Sequence, residues 1–252
     1  MALICATTTW ADWTEVSTAE ALRNTISNEA QIRLTANIIL ADYLKIGENS
    51  AQNVTIDMNG YSLKRSGLFK AERNGHVIEV WGAGTLTLFG GTLSGGWANN
   101  GGGICNYGTV TLSNATITGC KANDGGAIKN NDDATLNLNG GVNISGNVAA
   151  KAGGAIWSAG TLNISGTNNI TGNERGGSIT NNIYFIYRKV INVPGNLGDS
   201  HIGVSVDDHD GVITSGLSVH GDASDFTNDM AYATDLSTEG GEIKLTEKNV
   251  LR

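Results

Sequence analysis

The side chains of this 252-residue chain whose types could support chemistry are few and scattered. Asp132 and Asp133 are adjacent in "NNDDAT", and Asp207, Asp208 and Asp210 crowd the stretch "DDHDG". Hydrolysis of a glycosidic bond needs two carboxyl groups flanking that bond, and lyase chemistry needs a cation and a base. Two neighbouring acids in one loop do not flank a bond. The "DDHDG" run resembles a fragment of a Ca2+ loop, but it lacks the ligand alternation and the closing Glu. Ca2+ at Asp207, Asp208 and Asp210 is thus the one cofactor reading left open, and a solvated loop is the simpler reading. His76, His201, His209 and His220 form no recognisable cluster. Cys5, Cys105 and Cys120 include no C-x-x-C pair, so a metal site is not indicated and the latter two read as small buried or corner residues. Three aromatic residues, Trp157, Tyr107 and Trp97, are candidates for stacking on a sugar ring. For Trp157 the plainer alternative is packing beneath a loop or against the C-terminal segment.

Whether any of these groups meet depends on the elements that carry them, and those elements repeat. Gly-Gly-x-Ile recurs at Gly101–Ile104, Gly125–Ile128, Gly153–Ile156 and Gly176–Ile179. "GTLTL", "GTVTL", "ATLNL" and "GTLNI" begin at Gly84, Gly108, Ala134 and Gly160. "TLSG", "TITGC", "NISGN" and "NITGN" close each unit. Polar and apolar residues alternate within the segments, the period of a strand with one buried face. Gly and Asn separate them, and both tolerate the left-handed backbone of sharp corners. No segment is long enough for a helix. Units of three short strands stack into an all-β, right-handed parallel β-helix, here of roughly eight to nine coils. Ile128, Leu136, Leu138 and Ile144 should then fill the lumen between the matching residues of neighbouring coils.

The Asn residues follow the same logic. Asn106, Asn130 and Asn181 each lie two residues after a repeat Ile, and Asn147 and Asn173 share a second position that Cys120 occupies in one copy. A stacked Asn passes hydrogen bonds along the axis and satisfies corner backbone groups, so these five read as structural ladders. Residues 1–60 read as an N-terminal cap and first coils, with a short helix around Thr18–Ser27 and a capping-box spacing from Ser17 to Glu20. Residues 61–190 are the regular repeats. Residues 191–252 read as further coils of the same domain, less regular or with a flanking β-layer.

The whole net charge of −8 falls in residues 191–252, with 11 Asp/Glu against 3 Lys/Arg. Such an acidic end disfavours nucleic acid as a partner, and no apolar run is long enough to insert directly into a membrane as a helix. "MALICATTTW" lacks a basic region and a full apolar run, so it does not read as a signal peptide.

Gly125-Gly126-Ala127-Ile128 and Gly153-Gly154-Ala155-Ile156, with Ile144-Ser145-Gly146-Asn147 and Ile170-Thr171-Gly172-Asn173, resemble the repeats of chlamydial polymorphic outer membrane proteins. They are similar more widely to pectate-lyase-like β-helix surface proteins of bacteria. Two departures stand out: Ile replaces the family's usual Phe, and Cys120 replaces the Asn in one copy; no aromatic-rich translocator barrel follows either. The resemblance implies an extracellular or cell-surface module, an adhesin or a stalk. Its partners would be host glycans or proteins and neighbouring modules of a larger protein. The alternative on the same fold is a polysaccharide lyase or glycoside hydrolase. A remoter reading is ice binding, from the Thr column Thr85, Thr109, Thr135 and Thr161, whose second rank is broken by Asn137 and Asn163.

Overall fold

The computed structural model describes residues 12–66, 75–186, 189–206, 211–229 and 234–247. Its core is a parallel β-solenoid of about seven turns, close to the eight to nine expected. One in-register inward column runs Ala30, Val54, Leu86, Val110, Leu136, Leu162, Ile191, Thr214. A second runs Leu44, Ile78, Ile104, Ile128, Ile156, Ile183, Val204. A third passes through Leu93, Ile117, Ile144, Ile170 and Ile202 to Phe226. The alternation puts β-branched and Leu side chains inward on all three faces, where they form one continuous buried core.

Beside the lumen runs a side wall of strands Lys121–Asp124 and Val148–Ala152, paired in parallel and extended by Glu174–Arg175. The Gly-Gly dipeptide turns the chain from this wall onto the next strand of the solenoid. Gly101, Gly125 and Gly153 take φ of 54°, 66° and 66°. A Cβ on Gly125 would lie 2.5 Å from the Ile128 carbonyl carbon and 2.8 Å from Lys129 N. Only glycine fits a left-handed corner laid this closely on backbone.

The fourth Gly-Gly-x-Ile departs from its expected place. Both Gly176 and Gly177 take positive φ, and nothing lies within 4 Å of a Cβ on either. They form the tip of an antiparallel hairpin that pairs Glu174–Arg175 with Ile179–Thr180. Ile179 is 40% exposed, and Ile183 takes its place in the column. Asn181 therefore does not stack on Asn130; Ser158 follows Asn130, and Phe185 follows Ser158.

Both ends of the lumen are covered. Helix α1 (Ala19–Thr25) buries Leu22 beside Val16. Its N-cap is Thr18 rather than Ser17: Thr18 Oγ1 accepts from Ala21 N at 3.1 Å. At the other end Glu239 and Glu242 belong to the hairpin of Thr234–Glu239 and Glu242–Glu247. Glu242 reaches back to the last coil, where its carboxylate accepts from Thr214 Oγ1 at 2.8 Å and from Gly216 N and Leu217 N at 3.0 Å. Burial pushes its carboxyl up, but the donors on Thr214, Ser218 and Leu217 outweigh that and hold it below its usual range.

Candidate functional site

The outward side chains differ sharply between faces. On the strands from Gly84 through Ser165 they are largely Thr, Asn and Ser, small groups with no charge. On the face formed by strands Leu44–Ile46, Ile78–Val80, Ile104–Asn106, Ile128–Asn130 and Ile156–Ser158, the outward column reads Lys45, Glu79, Cys105, Lys129, Trp157 and then Tyr184. On the coils after the strand Gly84–Ser94, titratable and aromatic groups of the solenoid strands thus gather on this face, which the side wall flanks.

The register places the expected residues as follows. Val80, Asn106 and Asn130 are stacked partners, so the corner residues that follow them, Trp81, Tyr107 and Asn131, occupy successive coils. The Trp81 and Tyr107 rings stack with centroids 6.1 Å apart and planes 29° apart. They stay 37% and 38% exposed. One coil on, Asn131 Nδ2 donates to Asn106 O at 2.9 Å, and Asp132 and Asp133 project into solvent. Trp157 lies on the same face but is half-buried, with Lys129 Nζ 4.4 Å from its ring centroid. Trp97 is 46% exposed, yet it bridges to Lys121 and Gly75 on the side wall and does not join the other two. Trp81 was not singled out in the sequence, because "EVWGAG" matches none of the repeated segments. Asp207, Asp208 and Asp210 lie outside the described residues.

Chemistry on this face is constrained by how its groups are held. Cys105 is buried, which pushes its thiol up and keeps it a neutral thiol. Burial, and then a hydrogen bond with Cys105, pushes the Tyr107 phenol up. Glu79, almost fully buried, faces His76 Nε2 at 3.6 Å. His76 Nδ1 is 3.0 Å from Asn100 O, and its ring meets Tyr43 edge-on at 5.0 Å. Among the described residues, no group of three His, Cys, Asp or Glu is arranged to hold a metal ion.

The Asn residues are placed inside the coils, away from this surface. Asn106 Nδ2 donates to Asn130 Oδ1 at 2.8 Å, and Asn130 Nδ2 to Ser158 Oγ at 3.1 Å. Asn147 Nδ2 donates to Asn173 Oδ1 at 2.9 Å, and Asn173 Nδ2 to Asn182 Oδ1 at 2.7 Å. Asn181 belongs to neither column: it accepts from Gly153 N at 2.6 Å and donates to Ser205 Oγ at 2.8 Å.

The longer column ends on an acid. Asp229 Oδ2 accepts from Asn182 N at 2.7 Å and Asn182 Nδ2 at 2.9 Å. Burial pushes the Asp229 carboxyl up to about 6, against the pull of these two donors. Because the folded value lies above the ordinary 3.8, this group's contribution to stability is fully present below about pH 4 and is lost as pH rises through about 6. Asp229→Asn keeps the acceptor oxygen and removes the charge. It is expected to raise the melting temperature at pH 7.5 and to leave it unchanged at pH 4. A gain of equal size at both pH values would show that the carboxyl's ionisation is not the cause.

Comparison with protein-family models, with curated proteins and with solved structures found no match.

Proposed function

We propose that the chain is a non-catalytic module of a bacterial cell-surface protein, a rigid stalk that also binds glycan through one face. The observation that carries the glycan reading is the stacked pair Trp81 and Tyr107, exposed on adjacent coils, with the exposed Asp132 and Asp133 in the corner of the next coil. Aromatic faces bury the apolar C–H faces of a pyranose, while nearby carboxylates accept from its hydroxyls. The small, uncharged groups on the strands from Gly84 through Ser165 suit a spacer, and an unbroken lumen keeps such a spacer stiff. Neighbouring modules and host glycans or proteins are the partners this reading supplies, at an extracellular location and without a cofactor.

Glycan-array binding by the purified chain tests it. Replacing both Trp81 and Tyr107 by Ala is expected to weaken binding by about a hundredfold, roughly tenfold per ring. The melting temperature should hardly move, because both rings lie outside the core. If no glycan is retained, or the double variant binds as the parent does, this face is not a glycan site. Polysaccharide turnover that disappears in Glu79→Gln would instead put the enzyme reading first, since Glu79 is the acid buried in the face.

A further inference from the structure

Asn100, Asp124 and Lys129 meet where the side wall folds onto the solenoid. Asn100 and Asp124 are register partners on adjacent coils of the wall. Lys129 rises from the strand Ile128–Asn130 toward both. Its Nζ donates to Asn100 Oδ1 at 3.0 Å and stands 3.9 Å from Asp124 Oδ2. The Trp157 ring closes another side of the amine. The side chains of Lys129 and Asp124 retain only 13% and 21% of their exposure. The backbone itself fixes the approach: a Cβ on Gly101, next to Asn100, would lie 2.9 Å from Lys129 N. An amine, an amide carbonyl and a carboxyl group are thus held together in a partly buried site.

We propose that Lys129 and Asn100 join through an intramolecular isopeptide bond, with Asp124 moving the protons. The Asp124 carboxylate first takes one proton from the Lys129 ammonium. The freed lone pair on Nζ attacks Cγ of Asn100, and the carbonyl π pair moves to Oδ1. Asp124 delivers its proton to the Asn100 side-chain nitrogen and removes one from Nζ. The oxyanion then re-forms the carbonyl and the Cγ–Nδ2 bond breaks. One N–C bond forms and one breaks. The products are a secondary amide and ammonia, which leaves as ammonium with the proton that Asp124 gives up. No oxidant, metal or co-reactant is needed. Proximity supplies the driving geometry, as it does for any amine fixed against its electrophile. The bond would tie one coil to the next across the wall corner, and its formation does not depend on any glycan.

Mass spectrometry of the full chain after incubation at pH 7.5 decides the matter. The expected mass is one ammonia below the sequence mass. Digestion should give a branched peptide joining the Asn100 and Lys129 segments, with no tryptic cleavage at Lys129. Lys129→Met and Asp124→Asn are each expected to restore the full mass. Asn100 precedes Gly101, and such a pair can also lose ammonia by closing on its own backbone. An unbranched peptide that opens in mild base would therefore overturn the proposal. So would a parent protein that keeps its full mass, whether or not either variant folds.

Discussion

Gly125→Ala is expected to lower the unfolding free energy by at least about 4 kcal/mol, while Gly172→Ala lowers it by only about 1 kcal/mol. The two glycines have nearly the same backbone, with φ of 66° and 67°. They differ in what a methyl group would meet. At Gly172 there is nothing within 4 Å. At Gly125 the methyl would press on the carbonyl of Ile128 and on Lys129 N, and neither backbone atom can retreat without shifting a strand that holds two register neighbours. The difference between the two variants therefore isolates close approach from left-handed strain. Urea denaturation of both measures it. Equal losses would mean that the wall is not seated on the solenoid as described.

Asn147→Ala is expected to cost about 3 kcal/mol, and Asn139→Ala less than about 0.5 kcal/mol. The Asn147 amide is buried with its polar atoms used: Oδ1 accepts from Cys120 N at 3.0 Å, and Nδ2 serves Ile117 O at 2.9 Å as well as Asn173. Truncation strands the buried Cys120 N–H, which water cannot reach. Asn139 ends a strand with its side chain in solvent. A thermal melt of each variant at neutral pH suffices. If the two fall by the same amount, the buried column is not a source of stability.

Much of this architecture was legible in the sequence, for a simple reason. A strand with one face buried repeats every second residue, and a solenoid repeats that pattern once per turn. Leu136 and Leu138 could therefore be assigned partners on both sides, and they have them in Val110, Leu112, Leu162 and Ile164. The side wall was not legible. "KAND" and "VAAKA" have no clean alternation: their buried residues are the small Ala122, Ala149 and Ala152, and the register shifts between Ala122 and Asp124. The end of the Asn147 column was missed because Asn182 follows a hairpin that breaks the spacing, and Asp229 comes from a coil with no repeat signature. The Asn100, Asp124 and Lys129 cluster left a faint trace: the first two both immediately precede a Gly-Gly. Recognising their meeting required knowing that this turn folds the wall back on the next strand.

The in-register stacking also dictates how the molecule would respond to being stretched. Backbone hydrogen bonds between successive coils run along the solenoid axis, from Thr85 to Thr109 to Thr135 to Thr161. Tension between the helix at one end and the hairpin at the other is carried by these layers in series, so the weakest layer limits the load. When a layer separates, the loop of 26 residues between Thr135 and Thr161 can straighten to roughly 90 Å. A tether built this way lengthens in discrete steps, one coil at a time, and the coils that have not yet parted keep their surfaces intact.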